Sequence, residues 1–242
     1  MDQKLKTGIP GLDEMFKGGI IKGSSVLVTG APGTGKSIVG LQFIMQGVKQ
    51  NEACVYITSE ESAESLRNYA ESLGLDIKPY EKKNLLFVVE QPLTGKVVSL
   101  QAPLKIIEQH KVTRVVLDSL TLFEYAYFSS QNNFDFRKGV SQFIADMKAH
   151  DVTLMATSER STADIDQMLF LPQDYLFEGL IVLNKVRKGA SFERVISIAK
   201  MRGQEHMLDI FPLKIEKGGI KVYTKQLPFS LIEKDGDLQH DR

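Results

Sequence analysis

Cysteine is nearly absent. Cys54 is the only one in 242 residues, which rules out an intrachain disulfide and a cysteine-rich metal site. It lies in the apolar run Ala53-Cys54-Val55-Tyr56-Ile57, where a buried, inert thiol is expected rather than a nucleophile. Histidine is scarce too: His110, His150, His206 and His240 are scattered, with no two at ligand spacing, which argues against a structural metal site. No apolar run approaches the roughly 20 residues that cross a bilayer, and Met1 to Lys6 carries no signal-peptide core. The expectation is a cytoplasmic protein without membrane contact. An excess of charge of one sign is missing as well. The 30 basic and 30 acidic residues give a formal net charge of zero, whereas a chain built to grip nucleic acid usually shows a basic excess. With no internal repeat, low-complexity tract or linker, one domain is expected over 1–242, its core from about 7 to 223 and a polar tail from about 232 to 242.

What is present centres on Gly30-Ala31-Pro32-Gly33-Thr34-Gly35-Lys36-Ser37. The run Val26-Leu27-Val28 before it reads as a buried strand, and Ile38 to Met45 after it reads as a helix. Strand, glycine-rich turn and helix together are the context in which G-x-x-x-x-G-K-[ST] is a phosphate site. The glycines let successive N–H groups point inward, and the new helix adds its positive end. Lys36 is placed to meet the β- and γ-phosphates of a nucleoside triphosphate, and the Ser37 hydroxyl to hold Mg²⁺.

The rest of the chain alternates strand-like and helix-like segments. Strands are expected over 53–58, 85–89, 114–119 and 152–157. Helices are expected over 63–73, over 103–110 or from a few residues earlier, and over 136–150, with Val140, Phe143, Ile144 and Met147 on one face. That alternation predicts an α/β fold with a mostly parallel central sheet covered by helices on both sides. Past residue 175 the pattern changes. Segments 179–186, 194–200 and 213–223, joined by turns at Lys188-Gly189 and Lys217-Gly218-Gly219, predict antiparallel C-terminal hairpin strands that extend the sheet. The opening, Thr7 to Ile20, reads as turn, short helix and turn, covering a sheet edge. Residues 121–133 carry no clean period and read as a loop facing a neighbour or a ligand.

Hydrolysis needs carboxylates beside the phosphate loop, and in open parallel sheets the ligand lies outside the carboxyl ends of the strands. Two acidic positions fall there. Asp118 closes Val115-Val116-Leu117 as a Walker-B residue would, with an N-cap as the plainer alternative. Glu60 and Glu61 close Val55-Tyr56-Ile57. They suit groups that act on water, and they suit the acidic first turn of a helix equally well.

Taken together, Thr7-Gly8-Ile9-Pro10-Gly11-Leu12-Asp13, the phosphate loop, Glu60-Glu61, Asp118 and Lys200-Met201-Arg202-Gly203-Gln204-Glu205-His206 resemble the RecA-like ATPases. Within them they resemble the KaiC branch and its archaeal single-domain members. The resemblance runs from about Thr7 to Tyr223. It implies a RecA-like three-layer P-loop domain, a hexameric ring with ATP between subunits, and Glu60 and Glu61 acting on the attacking water with Lys36 on the phosphates. It further implies that Lys200, Met201, Arg202 and His206 meet the neighbour's nucleotide, a charge supplied in trans. Without the resemblance, Lys200 and Arg202 read as surface charges at a strand end. The departures are one domain rather than two fused copies, no long C-terminal extension, and no match to the adjacent phosphorylated Ser/Thr pair, so only the ATPase core carries over. The expected cofactors are ATP and Mg²⁺, and the expected partners are further copies of the chain and a regulatory protein. Two alternatives share the fold. One is a RadA-like nucleic-acid-dependent ATPase, which the neutral charge and the uncharged Ser129-Gln131-Asn132-Asn133 disfavour. The other is a nucleotide sensor that assembles on ATP without hydrolysing it.

Overall fold

Alternate residues of the central strands feed two separate cores, which is the signature of a sheet buried on both faces. The computed structural model describes residues 3–91, 101–121, 133–160 and 170–229. In strand β3 (Ser25–Gly30), Val26 and Val28 enter one apolar cluster and Leu27 the other. The same division separates Tyr56 from Val55 and Ile57 in β4 (Cys54–Thr58), and Val116 from Val115 and Leu117 in β6 (Arg114–Asp118). Helix α2 (Lys36–Lys49) closes the first core with Val39, Phe43 and Ile44. Helices α5 (Gln101–His110) and α6 (Asn133–Ala149) close the second, through Ile107 and through Val140, Phe143 and Met147. The expected apolar face of residues 136–150 is thus the face that packs, with Ile144 half-buried beside it.

The remaining strands are β1 (Lys4–Leu5), β2 (Ile20–Ile21), β5 (Leu86–Glu90), β7 (Thr153–Glu159), β8 (Gly179–Lys188), β9 (Ser191–Met201), β10 (Phe211–Glu216) and β11 (Gly219–Val222). Among the described residues the main sheet runs β11-β10-β9-β8-β3-β7-β6-β4-β5. From β8 to β5 all neighbours are parallel, and β9, β10 and β11 add antiparallel strands beyond β8. This is the mostly parallel α/β sheet with antiparallel C-terminal strands that the sequence predicts. Several bounds move: β5 runs through Glu90, β7 runs on to Glu159, and β9 spans Ser191 to Met201.

The opening segment folds as the turn, helix and turn expected. Gly11 precedes α1 (Leu12–Met15) at φ 86°, and Asp13 accepts from both the amide and the hydroxyl of Thr7. The segment lies along the sheet edge, where Val222 N donates to Pro10 O at 2.9 Å. The short pair β1–β2 beside it and helix α4 (Lys78–Lys82) carry too few apolar repeats to be read from sequence. Helix α3 (Ala63–Ser72) starts on a Ser62 cap and stops before Gly74, which sits at φ +77°. The aperiodic stretch after Thr121 and the polar tail lie outside the described residues.

Candidate nucleotide site

The phosphate loop leaves the centre of the parallel sheet. Gly30 ends β3, and α2 begins at Lys36 after Gly35, which adopts the left-handed region at φ 112°. A Cβ on Gly30 would lie 2.4 Å from the carbonyl oxygen of Leu183 and 2.8 Å from Thr34 Oγ1, so only glycine lets the loop pass there. Thr34 pins the loop by donating to Ala31 O at 2.8 Å. No side chain caps the start of α2, which leaves its first amides open toward an anion.

Lys36 folds over this loop, donating to Gly30 O at 2.9 Å and Ala31 O at 3.3 Å. Burial lowers its pKa, while Glu159, Asp118 and Glu60 oppose that shift in that order. Three carboxylates therefore stand around the lysine, each at or just past a carboxyl end of a strand. Asp118 ends β6, and its two oxygens accept from Tyr56 Oη at 2.6 Å and from Thr157 Oγ1.

The two adjacent glutamates diverge. Glu60 Oε1 accepts from Ser119 Oγ and so turns toward the Asp118 end of β6. Glu61 is exposed and accepts from Ser65 Oγ at 3.3 Å at the start of α3. Ser59 laces the two turns together, its hydroxyl accepting from Ser119 N at 2.8 Å and its amide donating to Asp118 O at 2.8 Å.

The structure adds three residues at the loop that the sequence reading passes over. Glu159 ends β7 one residue beyond the expected polar close Thr157-Ser158; its amide donates to Thr121 Oγ1 at 2.7 Å. Lys185 Nζ donates to Pro32 O at 3.0 Å, and Arg194 Nε donates to Gly33 O at 3.2 Å. These two cations arrive from β8 and β9. A carboxylate at a strand end was a signal available for Glu159, as it was for Asp118. Nothing local marks Lys185 or Arg194, because the strand order alone brings them to the loop.

Lys200, Met201, Arg202 and His206 are not brought to the chain's own phosphate loop. Lys200 pairs with Leu180, which is level with Leu27, whereas Gly30 is level with Leu183. Three residues of strand put Lys200 roughly 10 Å back from the loop. Lys200 Nζ donates to Asp174 O at 2.6 Å and Phe177 O at 2.8 Å, and burial lowers its pKa, with Arg202 adding to the fall. Arg202 donates to Tyr175 O at 3.2 Å, His206 Nδ1 contacts Met207 O at 3.0 Å, and Met201 is buried beside Gly179. Cys54 is buried, and desolvation pushes its thiol up to about 12, so it is held neutral. Among the described residues, no helix is long and apolar enough to cross a membrane.

Three comparisons bear on this arrangement. The family described as "ATPase: KaiC" matches residues 5–227. The circadian clock oscillator protein KaiC of Parasynechococcus marenigrum is 28% identical over 235 residues, covering 91% of this chain and 45% of that protein. The circadian clock protein KaiC3 of Synechocystis is 28% identical over 244 residues, covering 96% of this chain and 47% of that protein. The chain thus spans a little under half the length of these relatives. Among solved structures, a KaiC-like protein from the hyperthermophilic archaeon Pyrococcus horikoshii matches with a TM-score of 0.78 at 27% identity, over 92% of this chain and 100% of that one.

Proposed function

This chain belongs to the KaiC family of ATPases, and from that membership we propose that it is a single KaiC-like domain that binds and hydrolyses ATP with Mg²⁺, in a ring whose nucleotides sit between subunits, regulated through a protein partner. The observation that carries the chemistry is the charge arrangement around Lys36. Glu159, Asp118 and Glu60 all act on its ammonium from the carboxyl ends of the sheet, where a phosphate loop and its metal belong.

On this reading Lys36 exchanges its two loop carbonyls for β- and γ-phosphate oxygens. Ser37 and Asp118 are hard oxygen donors of the kind Mg²⁺ takes. The two donors on Asp118 occupy one position on each oxygen and leave the carboxylate further acceptor capacity. Bound there, Mg²⁺ would neutralise charge developing on the phosphates. Glu60 and Glu61 act on the attacking water. Glu60, which Ser119 holds toward Asp118, takes the proton, and Glu61 fixes the turn against α3.

Lys200, Met201, Arg202 and His206 serve the next subunit's nucleotide. What supports this is their distance along the sheet from their own loop, together with the basic pair gathered on the 172–178 turn. The test is subunit mass by light scattering with and without Mg²⁺–ATP, alongside turnover, for wild type and Lys200→Ala/Arg202→Ala. ATP should assemble about six subunits, and the double variant should lose turnover by about a thousandfold or more, as expected for a finger supplied in trans. A protein that stays monomeric, with the variant as active as wild type, would reduce Lys200 and Arg202 to surface charge. Unchanged turnover in Glu60→Gln/Glu61→Gln would sink the assignment of the base.

A further inference from the structure

We propose that Tyr56 is a positioning residue whose phenol aims the Asp118 carboxylate at the metal side of the nucleotide site. The proposal rests on the reading of Asp118 as a group that faces the bound divalent cation.

Tyr56 stands where the alternation of β4 calls for an apolar side chain. The apolar cluster it belongs to includes Val116 of the adjoining β6, Met155 of β7 and Val28 of β3, and the residue is 0% exposed. A hydroxyl buried in such surroundings is costly unless it is bonded. The phenol donates to Asp118 Oδ2 at 2.6 Å. The register explains the reach: Tyr56 lies opposite Val116, and Asp118 is two residues further along β6 on the same pleat face. That offset is roughly 7 Å along the strand, about the length of a tyrosine side chain laid toward the carboxyl end of the sheet.

The phosphate-loop helix makes room for the ring. A Cβ on Gly40 of α2 would lie 2.9 Å from Val116 Cγ1, 3.5 Å from Tyr56 Cε2 and 3.6 Å from the phenol oxygen. From the opposite side, Thr157 of β7 donates to Asp118 Oδ1. Two neutral donors on the two flanking strands thus fix the plane of the carboxylate and stabilise its charge. Groups of this kind that orient a metal ligand without touching the metal are worth about 10- to 100-fold in metal affinity.

The competing explanation is that Tyr56 only fills the core, which phenylalanine would do as well. The test is therefore Tyr56→Phe in the full chain, with Mn²⁺ as the probe. Free Mn²⁺ is titrated by electron paramagnetic resonance in the presence of ADP, and ADP binding without divalent metal is followed by calorimetry. The metal-free ADP affinity should stay at the wild-type value, while Mn²⁺ affinity in the ADP complex should fall about tenfold. Tyr56→Phe/Asp118→Asn should bind Mn²⁺ no more weakly than Asp118→Asn alone, because the phenol acts through the carboxylate. A Mn²⁺ titration of Tyr56→Phe that superimposes on wild type, while Asp118→Asn is impaired, overturns the positioning role and leaves the site reading standing. A further loss in the double variant overturns it also. If Asp118→Asn binds Mn²⁺ like wild type, the placement of the metal itself is wrong and both readings fall.

Discussion

Gly30 is where a single missing side chain has the clearest cost. Its neighbour across the ladder is a backbone carbonyl, that of Leu183, and a Cβ would approach it to 2.4 Å. A backbone oxygen held in a parallel ladder cannot swing aside as a lysine tip can. Gly30→Ala should therefore destabilise the fold by about 1–3 kcal/mol, the range for overpacking a well-filled site. At about 2–4 °C per kcal/mol for a domain of this size, thermal unfolding should show a clear drop in Tm. An unchanged Tm would mean that β3 and β8 separate freely at this point. Gly33 is a different case: the nearest atom to its added Cβ is Lys185 Nζ at 3.0 Å, a flexible tip, and the objection there is the backbone angle, φ +73°.

Among the elements, the join between α2, β4 and β6 rests on one buried cation. The Arg114 side chain is fully buried and pairs with Glu52, Nε to Oε2 at 2.5 Å. It also donates to Lys6 O at 2.7 Å and Phe43 O at 3.3 Å, and its guanidinium lies 4.8 Å from the Phe43 ring centroid. Gly47 of α2 leaves room for it, since a Cβ there would come within 2.7 Å of Arg114 Cδ. Removing the carboxylate strands a desolvated charge, so Glu52→Ala should cost about 3 kcal/mol. Urea unfolding should show a lower midpoint with an unchanged slope. A loss below about 1 kcal/mol would mean that the backbone carbonyls alone satisfy the guanidinium.

Some features of the fold and site are legible along the chain and others are not. The phosphate loop, the Ser62 cap, the face of α6 and the C-terminal hairpins each declare themselves within a short window, by spacing or by glycine. Asp118 and Glu159 both end strands, yet only Asp118 follows an unbroken apolar run, whereas Thr157 and Ser158 disguise the end of β7 as a turn. Lys185, Arg194 and the Tyr56–Asp118–Thr157 network depend on which strands are neighbours. The order β9-β8-β3-β7-β6-β4 interleaves segments far apart in sequence. Arg114 is hidden for a related reason: an arginine opening an apolar run looks like a boundary until its partner Glu52, from before β4, stands beside it.

At the scale of the whole molecule, the two ends of the sheet hold different halves of the proposed site. The phosphate loop lies at the carboxyl end of β3. Lys200 and Arg202 lie roughly 10 Å and more behind it, tied to the carbonyls of Asp174, Phe177 and Tyr175. The halves are linked through the chain. Arg160 donates its amide to Gly30 O at 3.2 Å, and its side chain pairs with the buried Asp174 carboxylate. Sites made this way have a property that no single-subunit site can share. Lys36→Ala spoils the loop but keeps the cations, and Lys200→Ala/Arg202→Ala spoils the cations but keeps the loop. Each should be inactive alone. In rings assembled at random from equal amounts of both, a loop is intact with a chance of about one half, and so are the cations facing it, so about one quarter of the sites regain both halves. Mixing the two dead proteins, followed by an ATPase assay, should therefore restore about a quarter of wild-type turnover. If mixing restores nothing although mixed rings are verified by mass, Lys200 and Arg202 act on their own subunit's nucleotide, which the register of β8 and β9 opposes.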